Sequence, residues 1–213
     1  MRLDHVSYVA AHDQISDVVQ RIGSQIGTAF VDGGIHPQFG TRNFTAPLLA
    51  GQYLEVVCPL EHPAAESTPF GQAVLRKAIE GGGWLTWVYS TDDIGSLESK
   101  FLRQAVVGHR KKPDGSELRW KQIGVKELAD DLSSPFYIEW LTPEHPSQDG
   151  VASTSIAEIV FAGTPRPITE LIEENLESSS ENRIKLSWNV NSEITSGIDS
   201  ILFKHRDQEI RIS

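Results

Sequence analysis

Two glutamates in look-alike settings are the residues of this chain best suited to chemistry. Gly51-Gln52-Tyr53-Leu54-Glu55-Val56-Val57 and Pro135-Phe136-Tyr137-Ile138-Glu139-Trp140-Leu141 align without a gap, with a Tyr, an aliphatic residue, a Glu and an apolar pair in register. Both runs read as strands. Alternation puts Tyr53, Glu55 and Val57 on one face and, likewise, Tyr137, Glu139 and Leu141. A carboxylate among apolar neighbours is costly to bury unpaired, so two equivalent ones call for compensating positive charge. A metal ion would supply it; so would Arg42, Arg110 or Arg119. Signatures of other chemistries are absent: there is no GxGxxG, Walker sequence, HExxH, GxSxG or CxxC. Hydride transfer, nucleotide hydrolysis and serine hydrolysis therefore lack support.

The elements that position these strands recur. Residues 3–9 read as a strand, followed by a helix opened by Asp13 with Ile15, Val18, Val19 and Ile22 on one buried stripe. Residues 84–89 repeat the strand, and Asp92-Asp93 caps a helix carrying Ile94, Leu97 and Phe101. Residues 156–161 begin a third round, with Pro165 and Pro167 before a helix lined by Ile168, Leu171 and Ile172. Three short strands follow each pair, near 29–31, 43–48 and 53–57, then 106–111, 118–123 and 136–141, then 183–190, 197–204 and 209–212. The expected fold is α+β, built of βαβββ modules of roughly 55–65 residues. Residues 1–146 make one domain of two modules (about 1–60 and 83–142), and 154–213 a third βαβββ-like module. A helix over 70–80 joins the first two modules, and 143–153 is the linker to the third.

Leu3-Asp4-His5-Val6 followed by Tyr53-Leu54-Glu55 resembles the first module of the vicinal oxygen chelate (glyoxalase/bleomycin resistance/dioxygenase) superfamily. More specifically, Gly33-Gly34-Ile35-His36-Pro37-Gln38-Phe39-Gly40-Thr41-Arg42-Asn43 is similar to the GG-x-HP-x-x-GT-x-N signature of its glyoxalase-like domain proteins. So are residues 110–115 with Trp120, and 135–140; the resemblance covers about 1–146. It implies that two modules pair into an open, cup-shaped mixed sheet whose floor holds a divalent metal ion (Zn, Mn, Ni or Fe) on ligands from first and fourth strands. Carried over residue by residue, the ligands are His5, Glu55 and Glu139, and the remaining slot falls on Trp84 or Tyr89, neither a usual ligand. Three ligands and an open position suit Lewis-acid chemistry on vicinal oxygens better than dioxygen chemistry. His36 is then the base or an auxiliary ligand, Glu139 a second catalytic group, and Asn43, Arg42, Tyr53 and Trp84 the substrate-binding set. The expected function is lyase or isomerase-type chemistry on a small metabolite. The alternative is a non-catalytic protein sequestering a hydrophobic or aromatic ligand, favoured by Trp84, Trp87, Trp120 and Trp140.

Bulk properties narrow the partners. A hydrophobic content of 39% is enough to fill a core and too high for disorder. The net charge of −10 repels phosphate backbones, which speaks against nucleic acid. The basic run His109-Arg110-Lys111-Lys112 reads as a solvated strand end, or as a gate for an anionic ligand. Glu158 reads as an edge-strand charge, and His12, His62, His109, His145 and His205 as surface residues. No stretch is apolar enough to span a membrane, and the lone Cys58 points to a reducing, cytoplasmic setting. The odd module exposes Trp188, Ile198, Ile201 and Phe203, which favours a homodimer slightly over packing within the chain.

Overall fold

The computed structural model describes residues 1–165 and 184–213. In chain order the first elements are β1 (Arg2–Val9), α1 (Ile15–Ile26), β2 (Val31–His36), β3 (Thr41–Leu48) and β4 (Gln52–Pro59). Helices α2 (Pro63–Ser67) and α3 (Pro69–Ile79) follow, then β5 (Gly83–Ser90), α4 (Ile94–Phe101), β6 (Val106–Lys111), β7 (Glu117–Ile123) and β8 (Phe136–Trp140). These make two βαβββ modules. In each the first strand runs parallel to the fourth, pairing His5 with Tyr53 and Val88 with Phe136.

The eight strands do not form an open cup. Their order, β1-β4-β3-β2-β6-β7-β8-β5, closes into a barrel. One seam is the long antiparallel pairing of β1 with β5; the other joins β2 to β6 at Ile35 and Lys111. Gly34 is the physical reason the second seam can close. Its φ is +98°, and a Cβ there would overlap the Lys111 carbonyl. The two edges meet because one carries no side chain, and closure leaves no barrel edge unpaired.

Alternation along the strands separates two cores. Inside the barrel lie Val57, Val88, Phe136 and Ile138, with Phe70 and Val74 of α3 stopping one end. Outside, α1 lays Ile15, Ile22 and Ile26 on the wall, and α4 adds Ile94 and Leu97. Helix α4 is capped by Asp93, whose Oδ1 accepts from Ser96 N at 3.3 Å. Helix α1 starts after Gln14 without a side-chain cap, so Asp13 has no capping role.

A second sheet comprises β9 (Thr154–Ala162), β10 (Lys185–Asn189), β11 (Ile198–His205) and β12 (Gln208–Ile212), in the order β10-β9-β11-β12. This order is its own: β9 lies between a parallel and an antiparallel neighbour. Glu158 is therefore on an inner strand, paired with Lys185 Nζ at 3.0 Å, and is not an edge charge. The helix expected around Ile168, Leu171 and Ile172 lies outside the described residues. The apolar face with Ile198, Ile201 and Phe203 is covered within the chain by the outer barrel wall. Phe203 stacks on Trp84 at 6.2 Å, Phe161 meets Trp87 at 5.3 Å, and Trp84 Nε1 donates to the Ile212 carbonyl at 2.9 Å. Each buried Phe contributes roughly 1.5–3 kcal/mol. Among the described residues no helix is long and apolar enough to cross a membrane.

Candidate functional site

The barrel interior narrows to a small cavity walled by His5, His36, Asn43, Tyr53, Glu55, Arg110 and Gln122, and by an aromatic half made of Phe39, Phe70, Trp120, Phe136 and Trp140. About 40 Å³ is free among them, room for a few water-sized groups. The polar groups come from β1 to β4 of the first module, with Arg110 and Gln122 reaching in from β6 and β7.

Asp4 organises the β1 side. The ladder between β1 and β5 shifts register between Leu3 and His5, leaving Asp4 as the extra residue of a bulge. Its carboxylate is fully buried and accepts three bonds: from His5 Nδ1 at 2.8 Å, His145 Nε2 at 3.1 Å and Trp140 Nε1 at 3.0 Å. Burial alone would raise its pKa; the bonds from His145 and His5 and their charge outweigh that and hold it well below the carboxylate range. An ionised Asp4 fixes a proton on His5 Nδ1 and leaves Nε2 to the cavity. The His5 ring stacks on Tyr53, centroids 4.3 Å apart. Burial, then Asp4 and Glu55, push the Tyr53 phenol well above its ordinary value, so it stays protonated.

Glu55 lies beside this pair, two residues on from Tyr53 along β4 and level with Ser7 of β1. Its Oε2 accepts from Ser7 Oγ at 2.6 Å and its Oε1 from Asn43 Nδ2 at 2.7 Å. Burial opposes its charge, but His5, His36 and these two bonds together lower its pKa, so it is a carboxylate at neutral pH. His36 bonds Thr41 Oγ1 through Nδ1 at 2.9 Å and meets the Trp120 ring edge-on at 5.7 Å. Burial brings its pKa down to about 4, so the ring is neutral.

The structure brings together His5, His36, Asn43, Tyr53 and Glu55 and separates the other expected site residues. On β8 the inward positions are Phe136, Ile138 and Trp140. Glu139 points out, where its Oε2 accepts from Ile94 N at the start of α4, at 3.1 Å. The look-alike strands are thus offset by one residue in facing, and a one-residue slip reverses every side chain. Opposite His5 on β5 stands Val88, rather than Trp84 or Tyr89. Trp84 is outside the barrel, against the second sheet. Arg42 is half exposed on the outer wall and paired with Asp32 at 2.6 Å. Reading the sequence did not find Asp4, Ser7, Gln122 or His145 as site residues. Only Asp4 carried a signal, by lying beside His5 in a strand of apolar residues.

The donor set does not fit a divalent ion held by His5, Glu55 and Glu139. Glu139 is on the wrong face and both Glu55 oxygens are engaged, which leaves His5, through Nε2, as the one member of that set with a ring nitrogen turned to the cavity. Among the described residues no three His, Cys, Asp or Glu side chains are grouped to hold a metal ion. The second module contributes an apolar wall where ligands were expected.

The model of a glyoxalase-like domain matches residues 3–176. A hypothetical protein from Staphylococcus aureus shares the fold with a TM-score of 0.58 at 16% identity, over 99% of this chain and 85% of that one. Methylmalonyl-CoA epimerase from Mycobacterium tuberculosis gives 0.44 at 16% identity, over 65% and 85%. A hypothetical protein from Bacillus halodurans gives 0.44 at 14%, over 68% and 96%. No curated protein matches the sequence.

Proposed function

Because the chain belongs to the glyoxalase-like domain family of the vicinal oxygen chelate superfamily, we propose that its barrel cavity carries out lyase or isomerase-type proton transfer on a small oxygenated metabolite, using this chain's own side chains. The observation that carries the reading is the Asp4–His5 pair at the cavity wall. With Nδ1–H bonded to an ionised Asp4, His5 Nε2 accepts a proton from a carbon beside a carbonyl group. The imidazolium formed is stabilised by Asp4 and returns the proton to the same or the neighbouring carbon. His36, kept neutral by burial, offers a hydrogen bond to the substrate oxygen without adding charge. Glu55 stays ionised and holds Ser7 and Asn43 in place, which makes it a weak base.

The test is deuterium uptake from D2O into small 2-hydroxy and 2-oxo carbonyl compounds, followed by NMR. Wild-type protein should label the carbon next to the carbonyl. Asp4→Asn presents an amide donor to one of its histidine partners and disturbs the His5 tautomer, so exchange should slow by roughly 10²–10⁴-fold. No exchange across the panel, or equal rates in wild type and Asp4→Asn, would end the proposal. The aromatic half of the cavity favours a second reading, capture of an aromatic ligand without turnover; it predicts saturable binding and no label.

A further inference from the structure

Arg110 is 2% exposed, its guanidinium inside the barrel against the backbone of Gly33, where any side chain would collide with it. One of its three nitrogens is used: Nη1 donates to Asn43 Oδ1 at 3.4 Å. Nε and Nη2 are buried and have no hydrogen-bond partner. No carboxylate of the described residues forms an ion pair with it. A buried guanidinium left this way is costly, because desolvation is not repaid by a counter-charge.

The arrangement of its neighbours keeps it so. Asn43 accepts from Arg110 with one end of its amide and donates to Glu55 with the other, at 2.7 Å. The amide stands between cation and carboxylate, and Ser7 occupies the other Glu55 oxygen. Nε–H and the outer Nη2–H lie along one edge of the planar guanidinium, the edge that matches the two oxygens of a carboxylate.

We infer that the free edge of Arg110 is the recognition site for the carboxylate group of a small monoanionic substrate. This rests on the reading of the cavity as a proton-transfer site and names its substrate class. The ionised Glu55 in the same cavity repels a second negative charge, which selects a carboxylate over a phosphate dianion. The small free volume restricts the rest of the molecule to a few heavy atoms. Arg110 and His5 line the same small cavity, so a carboxylate held by the one keeps its adjoining carbon in the space that the other also faces.

The experiment compares acetate, glycolate and pyruvate with their neutral amides, and with inorganic phosphate, at constant ionic strength. Binding is read from the fluorescence of Trp120 and Trp140, which line the cavity. Acids should bind wild-type protein roughly 10- to 100-fold more tightly than their amides, and Arg110→Met should erase the difference. The acid–amide comparison in wild type needs no variant, so a poorly folding Arg110→Met leaves the test intact. Equal affinity of acids and amides, a preference that survives in Arg110→Met, no acid binding, or binding of phosphate alone would overturn the inference. Acid binding without deuterium exchange would sustain it and end the proton-transfer reading. Exchange on uncharged ligands, indifferent to Arg110→Met, would do the reverse.

Discussion

His36 makes the stability of this protein depend on pH in a way that can be worked from the structure. Burial lowers its pKa from 6.5 to about 4 in the folded chain, whereas in the unfolded chain it titrates near its ordinary value. Between these values the unfolded state holds the extra proton, so stability rises with pH across this window and levels off above it. Linkage gives about 2 kcal/mol lost between pH 7 and pH 5, and about 3 kcal/mol by pH 4, for a shift from 6.5 to about 4. The perturbation is His36→Asn, which keeps an amide near the position of Nδ1 for Thr41 and removes the titrating ring. Urea unfolding of both proteins at pH 7, 6 and 5 reads the slope, independent of any constant loss from the smaller side chain. The wild type should lose about 2 kcal/mol more than His36→Asn over that range. Parallel pH dependence in the two proteins would refute the claim that a neutral, buried His36 faces the cavity.

Two further substitutions probe residues that the structure moves out of the site. Trp84→Ala removes the ring between barrel and second sheet along with its bond to Ile212; it should cost about 3–5 kcal/mol, lowering the melting temperature by roughly 6–20 °C. A change within experimental error in calorimetry would mean the sheet does not depend on this contact. Glu139→Gln loses the charge at the start of α4 and should cost about 0.5–1 kcal/mol, leaving carboxylate affinity and deuterium exchange as in wild type. Loss of either function in Glu139→Gln would return Glu139 to the cavity.

The sites show where local pattern is enough and where it fails. The helix stripes of α1 and α4 and the Asp93 cap follow from neighbours a few residues away, and they were legible. Glu55 was legible too, because a lone carboxylate on an apolar strand stands out. Glu139 has the same neighbours in sequence and the opposite facing, since sequence similarity does not specify which side of a strand meets the interior. Arg110 lay in a basic run that reads as solvated; Lys111 is exposed while Arg110 is buried, a difference made by strand parity within a closed wall.

By itself, then, the sequence determined the two βαβββ modules and their family, and singled out His5, His36, Asn43, Tyr53 and Glu55, because periodicity and short motifs are local properties. Tertiary structure alone decided that the sheet closes at Gly34, that a bulge turns Asp4 toward both His5 and His145, and that Asn43 stands between Arg110 and Glu55. Those features join residues up to 141 positions apart. Their energies depend on burial and on the absence of water, which only the folded chain brings about.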